Sequence, residues 1–246
     1  MSIETPEELE AMQQAGKVTR AVLEAMKSAA RAGMTTAELD EVGAEVMRTF
    51  GARSGPKKVY DFPGYSCISV NDEVVHGVPG KRLLKDGDLV KLDVTIEIDG
   101  FMGDACETVA VGEVSKDQRR LVACAQEAFR AGLAVVKPGA RAFDIGKAVQ
   151  QKVRSAGFHV VRDLGGHGIG RTIHEAPFIP NEFDPRCKDV LTEGLVFTIE
   201  PIIAMGTSRT VTLHDGWTIR TRDHSCAAHY EHTIVVTKDG AQLLTA

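Results

Sequence analysis

The chain has 246 residues, of which 43% are hydrophobic and 26% are charged, a balance typical of a soluble globular protein. Its formal net charge of −5 gives no electrostatic reason to expect nucleic-acid binding, and no apolar run is long enough to cross a membrane. The 5 cysteines are odd in number and lack the C-x-x-C spacing, which argues against both a disulfide framework and a zinc ribbon.

The first half of the chain is predicted to contain two helices followed by strands. Thr5 is a candidate N-cap with Pro6 in the first helical turn, and the helix that follows should end near Gly33. A capping-box pattern from Thr35 to Glu38 opens a second helix, which should end near residue 51. Sequence typical of strands then runs from about residue 67 to residue 112.

The second half repeats this order of elements. Another capping-box pattern spans Ser115 to Gln118, and helical periodicity continues to about residue 136. A fourth helix is expected over roughly residues 141–156, and strands and turns fill the remainder. The repeated order predicts an α+β protein of two similar halves, with a core or a site where the halves meet.

One predicted hairpin carries the first pair of acidic residues. Apolar and polar residues alternate along 90–98, and Asp99-Gly100 is typical of a two-residue turn. Such a turn makes Asp93 and Asp104 diagonal neighbours on one face of the hairpin, where two carboxylates can converge on an ion. Most strand aspartates are simply solvated, but aspartate is disfavoured in strands, and Gly103 permits something to approach closely.

Two further acids stand at strand ends. Glu200 lies between two apolar residues in "GLVFTIEP", and Glu231 directly precedes a β-branched run in "HYEHTIVV". Each could merely mark the end of a strand. A third feature weakens that interpretation: the segment "GGHGIGRTIHEAP" surrounds His167 with four glycines. These glycines do not form a nucleotide-binding loop, because Ile173 stands where G-x-G-x-x-G requires the third glycine.

Sorting these residues by chemistry gives four carboxylates and one imidazole: Asp93, Asp104, His167, Glu200 and Glu231. An oxygen-rich set with one nitrogen suits Mn²⁺, Fe²⁺, Co²⁺ or Zn²⁺. Because carboxylates can bridge, the set could hold two ions about 3.5–4 Å apart, as two-metal hydrolases do. It offers too many ligands for a single structural zinc.

The motifs that carry these residues resemble those of the type I methionine aminopeptidases, in order and in approximate spacing. They are "CISVNDEVVHGVP", "KLDVTIEIDGFMGD", "GGHGIGRTIHEAP", "GLVFTIEP" and "HYEHTIVV", and the resemblance covers nearly the whole chain. It implies the pita-bread fold, an α+β fold of two pseudo-symmetric halves with an antiparallel sheet covered by helices. It also implies a single metallo-aminopeptidase catalytic domain over residues 1–246.

The resemblance further implies an activity, the removal of the initiator methionine from nascent proteins and peptides. The five donors would bind two divalent ions, of Co, Mn, Fe or Zn, with Asp104 and Glu231 touching both. Glu200 would also be the general acid and base toward the attacking water. His174 would donate to the scissile carbonyl oxygen, and His76 would lie near the scissile nitrogen.

An apolar pocket for the methionine side chain is expected beside these donors. By their position in the motifs, its candidate residues are Phe62, Tyr65, Cys67 and Trp217. Cys67 is interpreted as a small packed hydrophobe rather than a nucleophile, since metal-assisted hydrolysis needs no thiol. The other histidines are interpreted as packed or surface residues: His159, His214, His224, His229 and His232.

We expect a cytoplasmic monomer that acts on nascent polypeptides and binds neither nucleic acid nor membrane directly. Ribosome association stays open, because no motif indicates it. Two departures from the family concern Met102, where members often carry histidine, and the segment 59–66, which matches loosely and leaves the pocket less defined. The gap between His174 and Glu200 is too short for the helical insertion of the type II enzymes.

Two other functions are compatible with the same fold. A proline-directed peptidase of the same fold, such as prolidase or aminopeptidase P, would use the same ligand types, usually beside a large N-terminal domain that has no counterpart here. A binding protein that kept the fold but lost catalysis would usually lack some of the five donors. All five are present here, together with His76 and His174.

Overall fold

The computed structural model describes residues 1–246, and its elements follow the predicted order of helices and strands. There are five helices: α1 (Pro6–Ala29), α2 (Thr36–Thr49), α3 (Gly55–Tyr60), α4 (Lys116–Leu133) and α5 (Ala142–Ser155). The strands of the first half are β1 (Arg53–Ser54), β2 (Cys67–Val70), β3 (Glu73–Val75), β4 (Leu89–Ile98) and β5 (Phe101–Ala110). Those of the second half are β6 (His159–Val160), β7 (Gly165–Gly168), β8 (Glu175–Pro180), β9 (Val196–Ile199), β10 (Ile202–Ala204), β11 (Thr210–Thr212), β12 (Ile219–Thr221), β13 (Ala227–Thr237) and β14 (Gly240–Leu243).

The helix starts agree with the predicted caps. The Thr5 hydroxyl accepts a hydrogen bond from the backbone N–H of Glu8 at 3.2 Å, and capping boxes open α2 at Thr35 and α4 at Ser115. Two ends come earlier than predicted. Helix α1 stops at Ala29, because Ala30 leaves helical geometry with ψ of 117°, and α4 stops at Leu133 instead of near residue 136.

Helix α3 was not predicted. It has six residues and begins after the N-cap Ser54, whose hydroxyl accepts from the backbone N–H of Lys57 at 3.3 Å. A helix this short shows too few turns to produce a recognisable apolar period. It places Tyr60 beside the cavity described below.

An antiparallel sheet of 11 strands forms the centre of the molecule, with the order β1-β4-β5-β13-β9-β7-β8 along its main path. The predicted hairpin β4–β5 has its expected register, with Ile98 opposite Phe101. The turn residues Asp99 and Gly100 have φ of 51° and 84°, which is the backbone of a type I′ turn. A separate sheet of three strands has the order β11-β12-β3.

Each pair of long helices covers its own part of the sheet. Helices α1 and α2 pack on β4 and β5 around a core that includes Leu23, Leu39 and Leu92. Helices α4 and α5 pack on β13, β9 and β8 around a second core that includes Phe129 and Phe197. None of the helices is both long enough and apolar enough to span a lipid bilayer.

Gly103 shows how closely α1 approaches the sheet. A Cβ at this position would lie 3.2 Å from the backbone carbonyl of Ala15 and 2.7 Å from the Thr19 hydroxyl. The element that approaches Gly103 closely is therefore helix α1. This contact holds the backbone just before Asp104 against α1.

Candidate metal centre and substrate pocket

Three of the predicted carboxylates lie on one face of three neighbouring strands. Thr95 of β4 is opposite Asp104 of β5, so Asp93, two residues before Thr95, points to the same side as Asp104. Cys106 is opposite both Asp93 on β4 and Glu231 on β13. Register alone therefore brings the Asp93, Asp104 and Glu231 side chains together on this face.

Glu200 and His167 reach the same place from the other half of the sheet. The Thr198 hydroxyl of β9 donates to Glu200 Oε1 at 3.0 Å and accepts from the backbone N–H of His167 at 3.1 Å. His167 Nε2 lies 3.5 Å from Glu200 Oε1 and 3.9 Å from Asp104 Oδ2. Because His167 Nδ1 is 3.1 Å from the carbonyl of Gly168, that nitrogen carries the hydrogen and Nε2 keeps a free lone pair.

The glycines around His167 allow β7 to lie tightly between its neighbouring strands. A Cβ at Gly166 would be 2.1 Å from the carbonyl oxygen of Thr198 on β9. A Cβ at Gly168 would be 2.2 Å from the carbonyl oxygen of Ala176 on the other side. A side chain at either position would therefore displace the backbone of His167.

Burial raises the pKa of all four carboxyl groups, and repulsion from neighbouring acids raises it further for three of them. Burial raises the pKa of Glu200 to about 7, and burial together with the Glu200 charge raises that of Asp93 to about 6. Burial and the neighbouring acids hold the pKa values of Asp104 and Glu231 well above their ordinary range. No lysine or arginine forms an ion pair with any of the four.

Several polar atoms at the centre of this group have no hydrogen-bond partner. They are Asp104 Oδ1, Glu231 Oε1 and both ring nitrogens of His229. Buried polar atoms are nearly always paired in folded proteins, so unpaired oxygen and nitrogen donors facing one another indicate a bound cation. Two sets of donor atoms lie within 4.8 Å of one another: Asp104, His167 and Glu231, and Glu200, His229 and Glu231. The residues present therefore fit divalent metal ions.

His229 was interpreted from the sequence as a packed or surface residue. It is indeed buried, with 2% of its surface exposed, but its ring lines the cavity among the acids. Its Nε2 lies 3.5 Å from Glu200 Oε2 and 3.5 Å from Glu231 Oε2. One signal in the sequence could have found it, since a residue two positions before Glu231 on a strand shares the face of Glu231.

The carboxylates form the floor of a cavity of about 310 Å³. Phe62, Cys67 and Trp217 line it as predicted, and the rings of Phe62 and Trp217 meet edge to face at 5.2 Å. Burial and the Asp93 charge raise the pKa of the Cys67 thiol, as suits a packed residue. Lining residues that the sequence did not indicate are Pro56, Tyr60, Val75, Leu164, Ile173 and Ile202.

Tyr65 is not part of this cavity, so its placement in the pocket was wrong. Its backbone N–H donates to Asp40 Oδ2 at 2.9 Å, and the ammonium of Lys57 lies 4.6 Å from its ring centroid. The ring packs at the edge of the first core instead. The chain between Phe62 and Cys67 is irregular, so strand alternation could not predict which side chains face inward.

Both predicted substrate histidines line the cavity. The rings of His174 and His167 are 4.2 Å apart between centroids, and the Tyr60 hydroxyl lies 2.5 Å from His174 Nδ1. His76 follows β3 with φ of 57°. Loss of surrounding water lowers the pKa of both His76 and His174, which favours neutral rings.

The remaining histidines lie away from the cavity. His159, His214 and His224 are exposed, and His224 Nδ1 pairs with Asp72 at 2.9 Å. His232 is buried, with hydrogen bonds from its two ring nitrogens to the hydroxyl groups of Thr245 and Tyr230. These four agree with the interpretation as packed or surface residues.

Comparison with known proteins gives consistent matches. Residues 10–238 match the model of metallopeptidase family M24. The chain is 44% identical to methionine aminopeptidase 2 of Bacillus subtilis (strain 168), covering 100% of this chain and 99% of the relative. It is 42% identical to a methionine aminopeptidase of Clostridium perfringens, covering 97% and 96% of the two chains.

Solved structures share the fold. A methionine aminopeptidase from Rickettsia prowazekii superposes with a TM-score of 0.96 at 38% identity and covers 100% of both chains. A prolidase from Pyrococcus furiosus has a TM-score of 0.82 at 24% identity and covers 99% of this chain and 65% of its own. The predicted pita-bread architecture is therefore confirmed, and the second match concerns the fold alone.

Proposed function

Since this chain belongs to metallopeptidase family M24 as a methionine aminopeptidase, a metal-dependent hydrolase that removes N-terminal methionine, we propose which of its residues carry out the reaction. Asp93, Asp104, His167, Glu200 and Glu231 bind two divalent metal ions. The observation that carries this proposal is the group of acids with unpaired oxygens and no basic partner. Glu231 belongs to both sets of donor atoms, which supports two ions rather than one.

Divalent ions bound here would lower the pKa of a water molecule and polarise a carbonyl group. The donors do not select among Co, Mn, Fe and Zn, because carboxylates and imidazoles accept all four. Glu200 is the general acid and base. Its carboxylate accepts the proton of the attacking water and then returns it to the leaving amine. Thr198 holds Oε1, which leaves Oε2 toward the cavity.

His174 donates a hydrogen bond to the scissile carbonyl oxygen as that oxygen gains negative charge. The lowered pKa favours a neutral ring, and we assign the Tyr60 hydroxyl as the donor to Nδ1, which leaves the ring hydrogen on Nε2. His76 lies across the same cavity and is placed near the scissile nitrogen. The two histidines thus contact opposite ends of the reacting peptide bond.

The apolar part of the cavity receives the methionine side chain. Phe62, Trp217 and Cys67 offer aromatic and sulfur surfaces, which suit a polarizable thioether. The free α-amino group lies at the acidic floor, so cleavage is restricted to the first residue. We propose further that residues 1–246 form one catalytic domain, acting as a cytoplasmic monomer on nascent polypeptides.

Peptide cleavage by the metal-stripped protein, before and after addition of Mn²⁺ or Co²⁺, tests the proposal. Met-Ala-Ser and Ala-Pro-Ser are offered in one assay, and the products are followed by mass. We expect metal-dependent release of methionine from the first peptide and no cleavage of the second. Cleavage only before proline would favour a prolidase-like specificity, and failure to cleave either peptide would favour a binding protein.

A further inference from the structure

The backbone N–H and C=O groups of His229 have hydrogen-bond partners, whereas its two ring nitrogens have none. Its backbone N–H donates to the Thr108 hydroxyl at 2.8 Å, and that hydroxyl donates to the His229 carbonyl at 2.8 Å. Ile202 of β10 pairs with His229 on the other side. The backbone that carries the ring is therefore fixed, yet both ring nitrogens are buried without a hydrogen-bond partner.

His232, three residues further along the same strand, is a structural histidine with which His229 can be compared. It is also buried, at 3% exposed, but Nδ1 is 2.9 Å from the Thr245 hydroxyl and Nε2 is 3.0 Å from the Tyr230 hydroxyl. An odd number of positions along a strand places it on the opposite face. The lack of partners at His229 thus belongs to the face that carries the acids.

The distances around His229 match those between ligands of one ion. Its Nε2 is 3.5 Å from both Glu200 Oε2 and Glu231 Oε2, and neither contact is a hydrogen bond. Two donors that bind a zinc-sized ion at about 2.1 Å in tetrahedral geometry lie roughly 3.4 Å apart. Both distances from His229 Nε2 therefore have the length expected between two ligands of one ion.

We propose that His229 is a sixth metal ligand, which binds one ion together with Glu200 and Glu231. Asp104, His167 and Glu231 then bind the other ion, so each ion has one imidazole, and Asp93 remains a ligand as proposed above. The inference rests on the proposed function only in requiring divalent metal binding at this site. A nitrogen donor on both ions should favour Zn²⁺, Co²⁺ and Fe²⁺ over Mg²⁺, which prefers oxygen ligands.

Direct ligation can be measured by NMR on the full chain. Protein with ¹⁵N-labelled histidine is loaded with ¹¹³Cd²⁺, and scalar coupling between cadmium and the imidazole nitrogens is recorded. We expect two coupled rings, one of which disappears in His229→Gln and the other in His167→Gln. Coupling to His167 alone would overturn the proposal. Failure of the wild type to bind cadmium would instead overturn the metal site itself.

Calorimetric titration with Co²⁺ gives a second test. His229→Gln should weaken binding of one ion by about 100-fold or more, since loss of an outer-shell partner alone costs about 10–100-fold. The matched control is His232→Gln, which should bind both ions like the wild type. Circular dichroism verifies that both variants fold. Two ions bound by folded His229→Gln with wild-type affinity would contradict the assignment.

Discussion

The hydroxyl of Tyr60 lies 2.5 Å from Nδ1 of His174, so the last residue of a six-residue helix is hydrogen-bonded to the ring proposed to contact the substrate. Removing this hydroxyl in Tyr60→Phe should lower kcat roughly fivefold, the worth of a hydrogen bond of about 1 kcal/mol. KM should change little. Because Tyr60 acts through His174, Tyr60→Phe should have no added effect in a His174→Ala background, as a double-mutant cycle would measure. Additive losses would show that Tyr60 acts on the substrate independently.

Glu200→Gln should abolish turnover, because an amide cannot accept the proton of the attacking water. Its size and its contact with Thr198 are retained, so circular dichroism should show an unchanged fold. Turnover is measured as methionine release by mass, with metal content determined on the same sample. Near-normal turnover would remove Glu200 from the acid–base role.

His76→Ala should slow the chemical step by about 100-fold or more, the typical cost of losing a transition-state donor. The substitution should lower kcat. Single-turnover measurements separate this effect on the chemical step from any effect on substrate binding. The control is His214→Ala, at an exposed position outside the cavity, for which we expect unchanged kinetics. An unaltered rate in His76→Ala would refute its contact with the substrate.

Asp104→Asn should reduce the number of metal ions bound per chain. Asp104 is 4% exposed and its Oδ1 has no protein partner, so the amide would replace a donor oxygen with a weaker ligand. Calorimetric titration gives the stoichiometry. Wild-type stoichiometry and affinity would remove Asp104 from the metal ligands.

In the metal-free protein, the stabilising contribution of Asp93 and Glu200 should be lost as pH rises from about 4 to about 7. Burial lowers the pKa values of His229 and His232 to about 4, so these two rings contribute in the opposite direction. The folded-state pKa values of about 6 for Asp93 and about 7 for Glu200 exceed the ordinary values of 3.8 and 4.5. Protonation of these groups therefore stabilises the folded state fully below about pH 4, and this contribution is lost as pH passes through the raised pKa values. Urea unfolding with chelator at pH 5.5 and 7.5 measures the slope.

The matched variant for this pH effect is Asp93→Asn, which removes one of the titrating groups. As pH rises from 5.5 to 7.5, its free energy of unfolding should fall less, or rise more, than that of the wild type. Added Mn²⁺ should stabilise the wild type more at pH 7.5 than at pH 5.5, since protons and the metal compete for the same oxygens. An identical slope in wild type and variant would contradict the raised pKa of Asp93.

The hairpin could be predicted in detail because a two-residue turn fixes register, and register fixes which side chains share a face. Asp93 and Asp104 follow from that rule alone. The approach of His167 and Glu200 depends on contacts through Thr198 between β7 and β9, which no local pattern encodes. For those residues, the resemblance of the motifs supplied what the physics of single segments could not.

The errors have equally physical causes. Tyr65 follows an irregular segment, where no period decides which way a side chain points. His229 shares its strand with His232, and a sequence does not reveal which histidine will find hydroxyl partners and which will not. That difference arises only when Thr245 and Tyr230 reach one face of β13 and the acids reach the other.

The division of the interior into two cores has a consequence for the order of folding. Asp93 and Asp104 are held by the core under α1 and α2, whereas Glu200 follows a strand of the core under α4 and α5. An intermediate with only one half folded would present part of the donor set and could not coordinate ions as the native state does. High-affinity metal capture should therefore be among the last events of folding, and added metal would report completed assembly in a refolding experiment.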